Sequence, residues 1–244
     1  MVAPPPLVLR YGVVPRPEVW ELVEEPAPHS PLHDQAIELL RQLILAWASR
    51  EGRAPLVARN LALRWEAGRP RVGLDPDLAL YDPAPPGGEM LASVATWEFG
   101  HTPPKVAVEV INPSHPYKDY VDVPVRYAAS GTGELWVFDP LLAGPQSHGG
   151  PYRVQVWARA AGAFERIYAG EGPALSPHLG AWLVAVDAGR RLRLSGDEAG
   201  VKLWPTGEEA ALLAKEAERV AKEEALAHVA RLEAELGALR RGGR

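Results

Sequence analysis

The sequence predicts a mixed α/β (α+β) domain followed by a long C-terminal helix, and three observations lead there. Residues 105–140 read as a buried strand, an acidic residue, a sharp loop, a short helix and a second buried strand. Residues 152–158 and 164–169 then alternate about Ala160-Ala161-Gly162 as a hairpin does, so antiparallel strands follow the strand–helix–strand unit. From Thr206 the composition changes to Ala, Glu, Leu, Lys and Arg, with no proline up to Arg241, which is the pattern of one continuous helix.

Length and composition bound the remaining possibilities. The 244 residues suit one sizeable domain, residues 1–204, with an appended charged helix, residues 205–244. Hydrophobic content of 47% and charged content of 23% are those of an ordinary globular protein, and no apolar run approaches the ~20 residues of a membrane helix. The first residues lack a basic stretch followed by an apolar core and a cleavage site, so the expected location is cytoplasmic, with no membrane partner. Cysteine is absent, which excludes disulfides, thiolate metal sites and a cysteine nucleophile. The formal charge is −5, so any contact with nucleic acid must come from a local patch.

The elements follow in order. Residues 2–31 are proline-rich, with 19–25 the only short strand or helix expected among them. Over 33–49, Ile37, Leu40, Ile44 and Trp47 recur at helical spacing, with Ser30 or Asp34 as cap and Glu51-Gly52 as the stop. His33 heads that buried stripe, where a packed, hydrogen-bonded histidine is the expectation ahead of a ligand. Arginine occurs seven times between 41 and 71, opposed only by Glu51 and Glu66. Its planar fork suits phosphate, although a solvated face explains the same run. Within that stretch 56–65 is expected to be one strand, turned at 66–68.

Residues 72–81 carry Asp75 and Asp77 around Pro76 and then an apolar strand, a place where a carboxylate can leave a sheet. Residues 82–88 are a loop. Residues 89–104 receive no assignment, though Trp97 and Phe99 suggest a packed piece. The strand over 106–111 has Glu109 where its apolar run is densest. A buried carboxylate there needs a metal, a cation or a proton, unless the strand ends and Glu109 turns to solvent. Helix starts lie in 119–122, with helix over 123–130 and Gly131 as its C-terminal cap. Strands at 135–138, 182–186 and 191–194 are expected to extend the sheet. Thr206 and Glu209 make a capping box for the last helix. There Val229, Leu232, Leu236 and Leu239 step as a coiled-coil seam, but upstream the register meets Ala225, Lys222 and Glu218. Either a homodimer contact or a solvated helix lying on its own domain fits that pattern.

Asp77 and Glu109, brought to adjacent strand ends, could share a hard divalent cation. Magnesium or manganese prefers oxygen ligands, and a bound water can become the hydroxide that attacks a phosphodiester. A nearby side-chain cation would steady the developing charge.

The order PDLALY, VAVEVINPS, Asp119, Tyr127 and ELWVFDP resembles the PD-(D/E)XK nuclease superfamily, and within it the Uma-type restriction endonuclease family. The resemblance extends over residues 15–204. It includes PAPHSPLHDQAIELLRQL, which resembles that family's first helix, and the later hairpin. It implies a restriction-endonuclease-like central mixed β-sheet flanked by helices, and a DNA endonuclease using Mg2+ or Mn2+ held by Asp77 and Glu109. Lys118 or Arg126 would be the auxiliary cation, His33 and Asp119 would support the metal ligands, and Arg53, Arg59 and Arg64 would contact DNA. The sequence departs from the pattern at the lysine: Ile111 stands two beyond the glutamate, and Val123 stands where Uma-type relatives place theirs. A catalytically inactive nuclease-fold module for DNA binding or assembly is therefore the alternative expectation.

Overall fold

Apolar runs that look continuous in sequence divide by parity between two cores. Leu78, Leu80, Val106, Val108, Val110, Trp136 and Phe138 pack on one face of a central sheet, while Ala79, Tyr81, Ala107, Ile111, Leu135 and Val137 pack on the other. A sheet covered on both faces shows no polar alternation, which is why these strands read as unbroken hydrophobic stretches. The structure is a computed structural model that describes residues 9–11, 20–22 and 30–242. The chain forms two compact units, residues 1–204 and 205–244.

In the first unit β1 (Arg10–Tyr11) precedes α1 (Pro31–Arg50), β2 (Leu56–Ala58), β3 (Ala62–Arg64), β4 (Gly73–Leu74), β5 (Leu78–Tyr81) and β6 (Ser93–Ala95). There follow β7 (Val106–Val110), α2 (Pro116–Ser130), β8 (Glu134–Phe138), β9 (Val154–Ala160) and β10 (Ala163–Gly170), then β11 (Ala174–Ser176), β12 (Ala181–Val186) and β13 (Arg191–Ser195). The central sheet has the order β1-β10-β9-β8-β7-β5-β2. Only β7 and β8 are parallel, joined across α2, so the sheet is mixed as expected. Helix α1 lays Ile37, Leu40, Leu43, Ile44 and Trp47 on one face. Helix α2 lays Tyr120, Val123 and Tyr127 on the other. Ser30 caps α1, its hydroxyl accepting from the His33 N–H, and Gly131 in the left-handed region ends α2.

Several expectations are corrected. The single strand over 56–65 breaks in two, because Asn60 takes a left-handed φ of 49° and donates its N–H to the Pro76 carbonyl at 3.0 Å. Over 72–81 the expected bend around Pro76 does precede an apolar strand, β5, but the residues before it also form β4, which with β3 and β6 makes a small sheet of its own. The strands at 181–186 and 191–195 do not extend the central sheet. With β11 they make a second three-stranded sheet whose Ala181, Leu183, Leu192 and Leu194 cover the α1 face of the core. Helix α2 starts at Pro116, earlier than 119–123, and runs through Pro124, its buried face outweighing the proline. Phe99 is not packed but 98% exposed. Strand β1, paired with β10, lies in the proline-rich N-terminal stretch where none was expected. Of the element expected over 19–25, Glu21 bridges Val72, and Val19 and residues 23–25 lie outside the described residues.

In the second unit α3 (Gly207–Gly242) begins with the expected capping box: the Thr206 N–H reaches Glu209 Oε2 at 2.8 Å, and the Glu209 N–H reaches Thr206 Oγ1 at 3.2 Å. Val229, Leu232 and Leu236 are exposed, and the side chain of Leu239 lies outside the described residues. Among the described residues no helix is long and apolar enough to cross a membrane.

Candidate active site

The pairing of β5 with β7 sets Leu78 opposite Val108 and Leu80 opposite Val106. Carried one residue further, that antiparallel register sets Asp77 opposite Glu109. Both share parity with Ala79 and Ala107, so both carboxylates stand on the α2 face at one end of the sheet, as cross-strand neighbours. Both are buried. The turn at Asp75-Pro76 makes this possible, since it ends β4 and starts β5 with Asp77 at its mouth.

Asp77 is firmly held. Its Oδ2 accepts the Val110 N–H at 2.8 Å and the His33 Nε2–H at 3.1 Å. His33 rides in on the first turn of α1, so a side chain 44 residues away in sequence is fixed to the strand end. Burial works to lower the imidazole pKa, but the bond to Asp77 and the charges of Asp77, Asp34 and Asp119 outweigh it and raise it. The packed, hydrogen-bonded histidine of the sequence reading is therefore the one observed, with Asp77 as its partner.

Glu109 is held differently. Its Oε1 accepts the Tyr127 hydroxyl at 2.6 Å. Burial pushes its carboxyl well above the usual carboxylate range, the neighbouring charges of Asp77 and Asp119 push it further, and Lys118 and Tyr127 pull back. Asp119, buried in the first turn of α2, is pushed up to about 7 by burial, with Lys118 opposing and Asp77 adding to the rise. Three acids thus crowd one strand end and raise one another's pKa, an arrangement that a cation would relieve. Among the described residues no three His, Cys, Asp or Glu side chains converge closely enough to hold a metal unaided. Two carboxylates with water or phosphate completing the shell are what magnesium ordinarily accepts.

The other candidates fall in two groups. Lys118 is exposed and near enough to influence Glu109 and Asp119. Arg126 is half-buried, its Nε lacks a hydrogen-bond partner, and it interacts electrostatically with Glu109. Both cations therefore border the carboxylates. Ile111 and Val123, the lysine positions of the pattern, are packed in the core beside α2. The three arginines have separate partners: Arg53 pairs with Asp82, Arg59 with Asp34 at 3.1 Å, and Arg64 donates to the Pro70 carbonyl at 2.5 Å. Tyr127 entered the sequence reading only as a motif position. Its spacing from Asp119 and Val123, four residues at each step, already puts it on the helix face that meets Glu109.

The sequence model of the Uma2 family, described as "Putative restriction endonuclease", matches residues 21–159, which include every acid of this cluster. The chain is also similar to a crystal structure from Anabaena variabilis ATCC 29413 described as a putative nuclease belonging to DUF820. That match has 14% identity and a TM-score of 0.44, and it covers 64% of this chain and 78% of that one. No curated protein matches.

Proposed function

The chain belongs to the Uma2 family of putative restriction endonucleases, and we propose that it is a DNA endonuclease using Mg2+ or Mn2+ at Asp77 and Glu109. The observation that carries the reading is the register that makes these two buried carboxylates neighbours on one face of β5 and β7. When bound, the cation supplies charge neutralisation and a water acidic enough to attack phosphorus.

The side chains do the rest. His33 and the Val110 N–H fix Asp77 in one orientation, and Tyr127 fixes Glu109 through Oε1. Asp119, buried beside the two carboxylates, is the group that takes up a proton as the phosphodiester is hydrolysed. Lys118 and Arg126 attract the scissile phosphate and offset its developing charge. Arginine remains charged at working pH, so Arg126 acts as a charge and not as a base. Arg53, Arg59 and Arg64 contribute to holding the DNA backbone. Val229, Leu232 and Leu236 of α3 form the contact of a homodimer, measurable as a loss of self-association on deleting residues 205–244.

The burial of Ile111 and Val123 where a lysine would stand favours a second reading, a nuclease-fold module that binds DNA without cutting it. Nicking of supercoiled plasmid with manganese separates the two. The native protein is expected to nick while Asp77→Asn and Glu109→Gln do not. No nicking by any of them, with DNA binding retained, establishes the module instead.

A further inference from the structure

Strand β2 is the last of the central sheet, and beside it lies a groove of about 390 Å³. Helix α1 contributes Glu38 and Arg41 to its walls, the β2 segment contributes Val57 and Arg59, and Leu61 and Leu91 add an apolar part. Strand register places one end of this groove. Leu56 stands opposite Tyr81 and Ala58 opposite Ala79, so β2 runs toward the Asp77 end of β5, and Arg59 follows there. The next residue agrees, since the Asn60 N–H bonds the Pro76 carbonyl at 3.0 Å. Helix α1 makes a second link: Arg59 Nη2 donates to Asp34 Oδ1 at 3.1 Å, and the adjoining His33 is bonded to Asp77 at 3.1 Å. Arg59 is thus tied to the neighbourhood of Asp77 through both strand and helix.

The acids that hold the groove's arginines grip them loosely. Glu38 stands between the two, its Oε2 3.6 Å from Arg59 Nη1 and its Oε1 3.9 Å from Arg41 Nη1, both longer than a hydrogen bond. Its Oε1 also accepts a Gln42 side-chain N–H at 3.2 Å, and Arg41 Nε reaches the Val57 carbonyl at 3.4 Å. Asp34 is exposed and Glu38 half-buried, so these ion pairs contribute little to stability and can be exchanged at little cost. Two guanidinium groups about one carboxylate also suit a phosphate, whose oxygens each planar fork can engage in pairs. The apolar residues of the groove suit the sugar and base that such a phosphate carries.

We infer that Arg41 and Arg59 form a subsite for the DNA backbone phosphate next to the one being cut, exchanging Glu38 and Asp34 for it when the strand enters the groove. The inference rests on the endonuclease reading and sets the path of the strand along β2. A contact with the backbone positions the strand without choosing its sequence.

The test uses the full chain with calcium in place of the catalytic ion, titrated in a calorimeter with thymidine 5′-monophosphate and with thymidine 3′,5′-bisphosphate. One phosphate reaches the metal alone, whereas two can occupy metal and subsite together. Native protein is expected to bind the bisphosphate about tenfold more tightly than the monophosphate. Arg59→Ala should abolish that preference and leave monophosphate affinity unchanged, and Arg41→Ala should reduce the preference. Glu38→Gln should tighten bisphosphate binding severalfold, a gain that shrinks when it is combined with Arg59→Ala. None of these side chains lies in the core, so equal melting temperatures are expected throughout. A native protein without the preference overturns the inference, as does a preference that survives both arginine substitutions or a Glu38→Gln variant that gains nothing. In each case calcium-dependent monophosphate binding and nicking that needs Asp77 leave the endonuclease reading intact. Native protein that binds neither probe overturns the inference, and if it also fails to nick DNA it overturns the reading.

Discussion

Glu109 and Glu134 are two buried glutamates on neighbouring parallel strands, and they lead opposite lives. Glu134, at the start of β8, faces the α1 side of the sheet, where Trp136 Nε1–H donates to its Oε1 at 2.5 Å and the His178 N–H to its Oε2 at 2.9 Å. Burial raises its pKa, and hydrogen bonds from Ser176, Trp136 and His178 hold the rise in check. Glu109, at the far end of β7, has one side-chain donor, Tyr127, and two acids for neighbours. Burial is common to both. The presence of donors separates a carboxylate that fastens two sheets together from the one proposed to hold a cation, since an ionised buried acid is costly unless its charge is compensated.

The largest expected effect sharpens this contrast directly. Glu109→Gln and Asp77→Asn are each expected to lower manganese-dependent plasmid nicking about a thousandfold, a loss of about 4 kcal/mol of transition-state stabilisation. The melting temperature of Glu109→Gln should hold or rise, because a like charge beside Asp77 and Asp119 is removed, whereas Asp77→Asn gives up the charge that holds His33 and should not gain. Glu134→Ala should do the reverse. It strands the Trp136 and His178 donors and is expected to cost about 3 kcal/mol of stability, read by denaturant unfolding. A stable Glu134→Ala variant breaks the comparison.

The pH dependence comes next. Asp119 has its folded pKa raised, from 3.8 to about 7, so between those values the folded state binds the proton more tightly than the unfolded one. An acid shifted upward in this way lowers stability as pH rises through that window, and below 3.8 it contributes nothing. Glu109 has the same sign. With a chelator present, native protein should therefore lose stability relative to Asp119→Asn from about pH 4 to about pH 7. Added manganese should raise the melting temperature more at the upper end of that window than at the lower. A metal effect independent of pH would contradict a site whose acids must give up protons to bind. The smallest effect is that of Tyr127→Phe, which removes one hydrogen bond and should cost about 1 kcal/mol in stability. Its activity should fall severalfold, through kcat more than KM.

Much of the fold was legible because its signals are local. The periodicity of α1, the hairpin about Ala161-Gly162, the strand containing Glu109 and the capping box of Thr206 and Glu209 each lie within a few residues of sequence. What misled the reading was also local pattern. The apolar stretch 56–65 has the composition of a strand, but the turn at Asn60 depends on the distant Pro76 carbonyl. Strands at 181–186 and 191–195 carry the right alternation for the central sheet, and only the core they cover assigns them to another. Phe99 is aromatic and so suggests packing, while its exposure is a property of the loop geometry.

The candidate site divides along the same line. Residue types and their order determined that Asp77 and Glu109 were the acids to watch, that His33 would be packed and that the lysine was missing at Ile111 and Val123. Tertiary structure alone decided that the two acids are cross-strand neighbours, that His33 bonds Asp77, that Tyr127 reaches Glu109, and that Lys118 and Arg126 border the cluster while Arg53 and Arg59 pair with acids elsewhere. The reason is physical. Side-chain chemistry and short-range periodicity are written residue by residue, whereas register between strands 32 residues apart is fixed only when both faces of the sheet are buried and a one-residue slip would turn Asp77 and Glu109 to opposite sides.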